Sequence, residues 1–430
     1  MTKVHHSLTN IALLLIALSA CLPVLADTTD AKPDGIQPIV LMIGVDGLRA
    51  DTLQRYNVVN LQSMAKVGVF AKMIPAMPTK TFTNFYSLAT GLHPKHHGMI
   101  SNTPYDRELK RRFNSLTDQS DPLWWQGEPI WITAEKQGLI TATYFWLGSE
   151  VAFDGVRPTY WKPYDQEKDY AQRIEEVLQW LSLPISKRPR LVTLYFSGVD
   201  TAAHQFGVGS EQEKEAVIKI DQHLGDLLSG LDEMGLRQQV NIIIVSDHGM
   251  INLSDDKVIN LDPHLDLSAL EVPNWSKNRN VVFAPFLNVH ADKEQVDLLY
   301  EKLSGLHPNM RVLKRGSFGR NYHFDHPQRE PDLMLLADPG WSIYASRNNA
   351  KPLPIKETGR DKATHGYDNQ HPSMQAIFVG SGPAFKHDLV VKPFKNIDLY
   401  SLLACILEIQ PAKTDGNVNN VSTFLTKTCA

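Results

Sequence analysis

Three nearly unbroken apolar runs, Ile39–Val45, Arg190–Phe196 and Val240–Ser246, constrain this chain more than any other feature of it. A strand covered by helices on both faces shows no alternation of apolar and polar residues, so these runs read as strands of a buried parallel sheet. Each run leads into an acidic residue: Asp46 directly after the first, Asp200 shortly after the second, Asp247 directly after the third. Open α/β sheets place their ligand-binding groups at the carboxyl ends of their strands, so the three carboxylates are expected along one edge. Helical periodicity over Leu61–Val67, Ile130–Gln137, Tyr170–Leu181, Glu211–Met234 and Asn396–Leu407 supplies the covering layers. Further strands are expected at Val69–Ile74, Ile140–Trp146, Pro331–Asp338 and Met374–Val379. The expected fold class is α/β, a central mostly parallel sheet flanked by helices.

With 430 residues, 43% of them hydrophobic, the chain has material for a large core. The net charge of -4 and the lack of a long basic block exclude the electrostatic footprint of a protein that binds nucleic-acid polymers, though a small nucleotide needs none. Residues 1–26 read as a secretory signal peptide, with Lys3 before the apolar Ile11–Leu18 core and a small-residue cleavage pattern ending at Ala26. Leu18-Ser19-Ala20-Cys21 also fits a lipoprotein box, which would give a lipid anchor at Cys21, although apolar residues continuing past Cys21 favour cleavage after Ala26. An exported protein, periplasmic or on the cell surface, is expected, with no transmembrane segment in the mature chain. Cys405 and Cys429, which remain after processing, can pair in that compartment. The catalytic α/β domain is expected over 27–251 and 360–430. The inserted cap region is expected over 252–359, where the strand-helix rhythm loosens.

Met77-Pro78-Thr79-Lys80-Thr81-Phe82-Thr83-Asn84 precedes a helical segment closed by Gly91, which would put the Thr81 hydroxyl at a helix start, where free N–H groups favour an anion. Asp46, Asp200, His204, Asp247, His248 and His365 can gather beside it. Asp200 and His204 are four apart and converge if that segment turns helically. Three Asp and three His form two half-sets of oxygen and nitrogen ligands, suited to two borderline-soft cations such as Zn2+, with no cysteine offered. Two such cations about 4 Å apart can hold the attacking and leaving oxygens of a phosphoryl transfer. Asn102 adds a neutral amide donor. The loop aromatics Trp146, Phe153, Tyr160, Trp161 and Tyr164 either plug the core edge or line a pocket for a planar ligand. His93, His96 and His97 lie in a turn without an acidic partner at ligand spacing and read as a solvated polar loop. Lys80 is the only cation adjacent to Thr81, and its side chain can point away if a helix begins there.

Pro78-Thr79-Lys80-Thr81-Phe82, Asp200-Thr201-Ala202-Ala203-His204, Ser246-Asp247-His248-Gly249-Met250 and His365-Gly366-Tyr367-Asp368-Asn369 together resemble the nucleotide pyrophosphatase/phosphodiesterase family of the alkaline phosphatase superfamily. Glu128-Pro129-Ile130-Trp131 and Arg157–Tyr164 extend the likeness over nearly the whole mature chain. The resemblance implies an alkaline-phosphatase-like fold with one zinc on Asp200, His204 and His365 and a second on Asp46, Asp247 and His248. It makes Thr81 the nucleophile, with Asn102 and the Thr81 N–H holding a phosphoryl oxygen. Phe82 and Tyr164 would sandwich a nucleobase, with Trp146 and Glu150 near the nucleoside. The chain departs from the family where Thr83-Asn84-Phe85 follows Phe82 and where Val199 and Ala203 flank Asp200; none of these is a ligand position. The function so implied is hydrolysis of nucleotide phosphodiester and pyrophosphate bonds through a phosphothreonine. Alternatives are a phosphomonoesterase or phosphonate hydrolase on the same scaffold, or a catalytically inactive zinc-binding envelope protein, a role that would not require Thr81.

Overall fold

The computed structural model describes residues 37–264, 281–318, 322–346 and 361–429. The signal sequence and Cys21 lie outside them. The main sheet has nine strands, in the order Leu389–Val390, Val69–Ile74, Ala376–Ser381, Val240–Val245, Ile39–Val45, Leu191–Phe196, Thr141–Tyr144 and Tyr160–Lys162, with Phe394–Lys395 also on Val69–Ile74. The Ile39–Val45 strand runs parallel to both its neighbours, with Gly44 level with Tyr195 on one side and Val245 on the other. Ala376–Ser381 is antiparallel to both of its neighbours, so Val69–Ile74 beyond it again points the same way as the central strands.

All seven residues of Ile39–Val45 are buried, as are all six of Leu191–Phe196 and of Val240–Val245. Each large apolar side chain so covered contributes about 1.5–3 kcal/mol, which is why these runs take the middle of the sheet. The covering helices include Val59–Val67, Tyr170–Ser182, Glu211–Glu233 and Leu399–Leu407. Glu211–Glu233 shows the pattern plainly: Val217, Ile220, Leu224, Leu227 and Leu231 recur at helical spacing and are buried, and Ser210 caps the start by accepting the Glu213 N–H.

Between Ile251–Asn252 and Ala363–Thr364, which pair with each other, the chain builds two small sheets. One holds Val258–Asn260, Ser342–Ser346 and Val281–Ala284; the other holds Phe286–Val289, Leu333–Ala337 and Met310–Lys314. They share an apolar cluster of their own that includes Ile259, Leu287, Leu335 and Ile343. Arg329 ties this segment to the main body: its buried guanidinium pairs with Asp106 at 2.8 Å and donates to the carbonyls of Gly98, Leu123 and Trp124.

Cys405, on the Leu399–Leu407 helix, is joined to Cys429 with their Cα atoms 5.4 Å apart. The bridge closes a loop of 24 positions, worth about 3 kcal/mol in the chain-entropy model. Replacing both cysteines by serine is expected to lower unfolding free energy by up to about that much in urea titrations; an unchanged midpoint would show that the bridge does not stabilise the fold.

Candidate active site

The shared direction of the central strands decides where the acidic residues go. Asp46, Asp247 and the first turn of the Gly198–Phe206 helix, which carries Asp200, all emerge at one edge. Main-chain bonds lock them together: Asp46 N–H donates to Phe196 C=O at 2.9 Å, and Asp200 N–H to Asp46 C=O at 3.1 Å. Gly47, at φ 68°, turns the chain away directly beside Asp200, where an added Cβ would stand 3.0 Å from the Asp200 backbone. Its N–H donates to Asp247 Oδ1 at 3.1 Å.

Val69–Ile74 ends at the same edge, and Thr81 opens the following helix, Thr81–Thr90, which stops at Gly91. Asn84 fixes this entry, receiving the Ala76 N–H on its carbonyl oxygen and donating to the carbonyls of Pro78 and Lys80. Thr81 Oγ1 comes within 3.3 Å of His248 Nε2. Asn102 accepts the Phe82 N–H on its Oδ1 at 3.0 Å, which leaves its Nδ2 as a donor at the helix start.

The cluster is built for cations. The ligand atoms of Asp46, Asp247 and His248 lie within 4.8 Å of one another, as do those of Asp200, His248 and His365. The first trio is the expected second half-set. In the other, His248 stands close as well, whereas His204 Nε2 approaches the Asp200 Oδ1 atom at 3.4 Å. His248 Nδ1 donates to Gly249 C=O at 3.0 Å and His365 Nδ1 to Thr79 C=O at 2.7 Å, so both rings keep the Nε2 lone pair for a ligand bond. Asp46 Oδ1, Asp200 Oδ1 and Asp247 Oδ2 are buried without a hydrogen-bond partner in the described protein. Asp247 Oδ2 lies 2.8 Å from His248 Nε2 without the geometry of a hydrogen bond. Converging lone pairs of this kind are costly unless a cation sits among them, and a donor set of carboxylate and imidazole without thiolate fits a divalent ion.

Titration tells the same story. Burial, reinforced by Asp247 and Asp200, raises the Asp46 carboxyl well above its ordinary range, against the hydrogen bond from Tyr195 at 2.6 Å. Burial and the Asp200 charge push Asp247 up to about 8. Burial alone would lower His204, but Asp200 raises it to about 10. Asp200 itself is opposed by burial yet drawn below its usual value by His204. Burial holds His248 and His365 low.

Around this centre several expectations change. Trp146 does not line the cleft: it is 2% exposed, gives its indole N–H to Phe85 C=O at 3.1 Å and packs edge-on against that ring. Its indole fills the space beside Gly44 under the Thr81–Thr90 helix, which is core work. Glu150 instead holds the loop, its Oε1 accepting the Tyr164 N–H at 3.0 Å. Tyr164 is part-exposed and packs edge-on against Tyr195, the residue bonded to Asp46. Lys80 does not turn away. Burial brings its ammonium down to about 8, while Asp200, Asp361 and Asp46 act on it from close by. The histidine turn is not a solvated loop either: His97 is fully buried on Ser87 Oγ at 2.9 Å, His96 pairs with Asp415, and His93 stacks on His323 at 3.8 Å. Sequence reasoning missed the wall behind Phe82, made by Phe113 at 5.4 Å and Trp125 at 6.2 Å between ring centroids. Both come from the stretch that Arg329 clasps, and nothing local in their sequence points toward Phe82.

Residues 40–368 match the model of the type I phosphodiesterase / nucleotide pyrophosphatase family, and the chain belongs to that family. Its relatives include ectonucleotide pyrophosphatase/phosphodiesterase family member 3 of Rattus norvegicus, 34% identical over 91% of this chain and 45% of that protein. Venom phosphodiesterase CdcPDE of Crotalus durissus collilineatus is 34% identical over 90% of this chain and 46% of its own length. The chain thus spans about half the length of these relatives. Murine ectonucleotide pyrophosphatase/phosphodiesterase 5 superposes with a TM-score of 0.82 at 29% identity, covering 91% of this chain and 100% of that one. An inactive threonine-to-alanine variant of that protein, in complex with AMP, superposes equally well.

The titration pattern carries a prediction for the chelated protein. Asp46, Asp247 and His204 all hold their protons to higher pH folded than unfolded, so they support the fold below their unfolded values and withdraw that support as pH rises through the folded ones. His248 and His365 act oppositely, but their contribution is complete above about pH 6.5, the ordinary imidazole value. Lys80, brought down to about 8, adds stability only above that value, so urea unfolding in chelator is expected to show stability falling between about pH 6.5 and about pH 8, and a saturating divalent cation should remove the decline. A flat profile in chelator would contradict it.

Proposed function

We propose that the chain is an exported hydrolase of nucleotide phosphodiester and pyrophosphate bonds that releases nucleoside monophosphates through a phosphothreonine at Thr81, with two zinc ions as cofactor. One observation carries this reading: Thr81 Oγ1, at a helix N-terminus, stands 3.3 Å from His248 Nε2 beside three buried carboxylate oxygens without hydrogen-bond partners. Asp46, Asp247 and His248 would hold one cation and Asp200, His204 and His365 the other, and the pair would supply Lewis-acid charge that lowers the pKa of the Thr81 hydroxyl and offsets phosphoryl charge. The burial of Asp46, Asp247, His248 and His365 and the matched family support this assignment.

The residues divide the remaining work. Thr81 Oγ1 gives up its proton to solvent or the leaving oxygen and bonds to phosphorus while the leaving oxygen departs with the electron pair; a water oxygen then bonds to phosphorus, the bond to Thr81 Oγ1 breaks, and a proton from that water restores the Thr81 hydroxyl. Asn102 Nδ2 and the Thr81 N–H donate to a phosphoryl oxygen, and the helix N-terminus favours the negative charge. Phe82, backed by Phe113 and Trp125, offers one ring face to a base, and Tyr164, held by Glu150, offers another. The murine relative's complex with AMP supports a nucleotide in this place. Its relatives' description as ectonucleotide and venom enzymes supports export, and no helix among the described residues is long and apolar enough to cross a membrane.

The nearness of Lys80 to the carboxylates favours one alternative, a monoesterase, because an extra cation suits the second charge of a monoester. Turnover of a nitrophenyl diester against the matching monoester separates the two, and faster monoester hydrolysis would sink the diesterase reading. Thr81→Ala is expected to lower kcat by about 10³-fold or more while bound cations remain, and Thr81→Ser to keep appreciable activity. Near-native kcat in Thr81→Ala would mean that water attacks directly. Phe82→Ala is expected to raise KM for nucleotides by about 5- to 100-fold, from stacking worth about 1–3 kcal/mol, with little change for nitrophenyl phenylphosphonate.

A further inference from the structure

His365 reaches the site from a distant part of the chain, and one residue next to the nucleophile receives it. Thr79 is fully buried and lies two positions before Thr81. Its carbonyl accepts His365 Nδ1–H at 2.7 Å, its hydroxyl oxygen accepts the Gly366 N–H at 2.9 Å, and the same hydroxyl donates to Tyr367 C=O at 3.0 Å. The alternative acceptor for that proton, Met374 Sδ at 3.3 Å, is a weaker one. Three consecutive residues of the 365–367 turn are thus bonded to a single threonine across 286 or more positions of chain.

The approach is too close for a side chain on the turn. Gly366 sits at φ 115°, and an added Cβ would stand 2.8 Å from Lys80 Cε and 2.9 Å from Pro285 Cγ. The Gly366 N–H and Tyr367 C=O are enclosed there, and Thr79 Oγ1 is the partner found for both. A second anchor, Asn369 Nδ2 on Pro75 C=O at 2.8 Å, holds the far end of the turn and does not touch the histidine. The Thr79 carbonyl selects the His365 tautomer, and the Thr79 hydroxyl sets how far the turn stands from the nucleophile loop. Without that hydroxyl, two buried main-chain groups lose their partner, and the turn is free to shift the one ligand it carries.

We propose that Thr79 is a positioning residue whose hydroxyl holds the His365 arm in register with Thr81, so that one cation set and the nucleophile are built as a unit. This deepens the proposed function and rests on it. It assigns a task to the motif threonine that does no chemistry, and it predicts an effect on one ligand set and not on the other.

The test is cation binding by the full mature chain, measured by equilibrium dialysis against Zn2+ in a competing chelator. The variants are Thr79→Val, which keeps the shape and removes the hydroxyl, and Thr79→Ser, which keeps the hydroxyl. Thr79→Val is expected to weaken one of two binding classes about 10- to 100-fold, the range for loss of a group supporting a metal ligand, and to spare the other. Thr79→Ser is expected to restore both classes. In metal-free protein, ¹⁵N spectra of the histidine rings should show the Nδ1–H form of His365 in the wild type and a mixed population in Thr79→Val. Equal loss of both classes, wild-type affinity at both, or failure of Thr79→Ser to restore binding would each overturn the proposal. Should Thr79→Val not fold, the serine variant and the wild-type ring spectrum decide: a wild-type Nε2–H form of His365, or weakened binding in the serine variant, overturns it. A wild type that binds no divalent cation would instead remove the proposed function.

Discussion

The structure turns on a conflict of like charges. Parallel strands deliver Asp46, Asp200 and Asp247 to one edge, where Asp46 Oδ1, Asp200 Oδ1 and Asp247 Oδ2 are buried and have no hydrogen-bond donor among the described residues. Burying carboxylates in this way costs several kcal/mol each unless positive charge is brought among them. His204 meets part of the demand by holding its charge beside Asp200, 3.4 Å from Nε2 to Oδ1, and Lys80 leans on the same charges. What remains is a set of lone pairs aimed inward, with His248 and His365 turned by Gly249 and Thr79 to join them. The fold spends packing stability from its apolar strands on a cluster that is comfortable only around cations, a trade typical of catalytic centres.

The loop leading into Thr81 is the second constraint. Asn84 fixes its approach, Asn102 receives the Phe82 N–H, and Thr79 receives the His365 turn. Thr81 thus lies at the junction of three separately anchored pieces of chain, and its hydroxyl needs no partner of its own to be positioned. The same loop carries Phe82 outward against Phe113 and Trp125, so the Thr81 hydroxyl and the Phe82 ring share one rigid support. Arg329 extends that support into the 252–359 segment by closing on the carbonyls of Gly98, Leu123 and Trp124.

Several side chains found their places only through partners far away in sequence. Trp146 looks like a loop aromatic in sequence, but the space beside Gly44 and below Phe85 draws it into the core. His97 looks like part of a polar turn, but the Thr81–Thr90 helix brings Ser87 to it and excludes water. Lys80 has the spacing to point outward, but the turn at Gly366 and the Phe286 ring, 5.9 Å from its Nζ, enclose its stem and bring the ammonium toward the acidic cluster.

The sequence by itself determined the central strands, the helix that begins at Thr81, and the arrival of Asp46, Asp200 and Asp247 at one edge. Unbroken apolar runs have few ways to be buried, and parallel strands put their carboxyl ends together. Local order also carried the Asp200 and His204 spacing, because four positions make one helical turn. Only the tertiary structure decided that Ala376–Ser381 runs against its neighbours, that Thr79 receives His365, and that Phe113 and Trp125 stand behind Phe82. Each of these is a contact between segments with no shared periodicity. Their geometry depends on how whole layers dock, which no short stretch of sequence encodes.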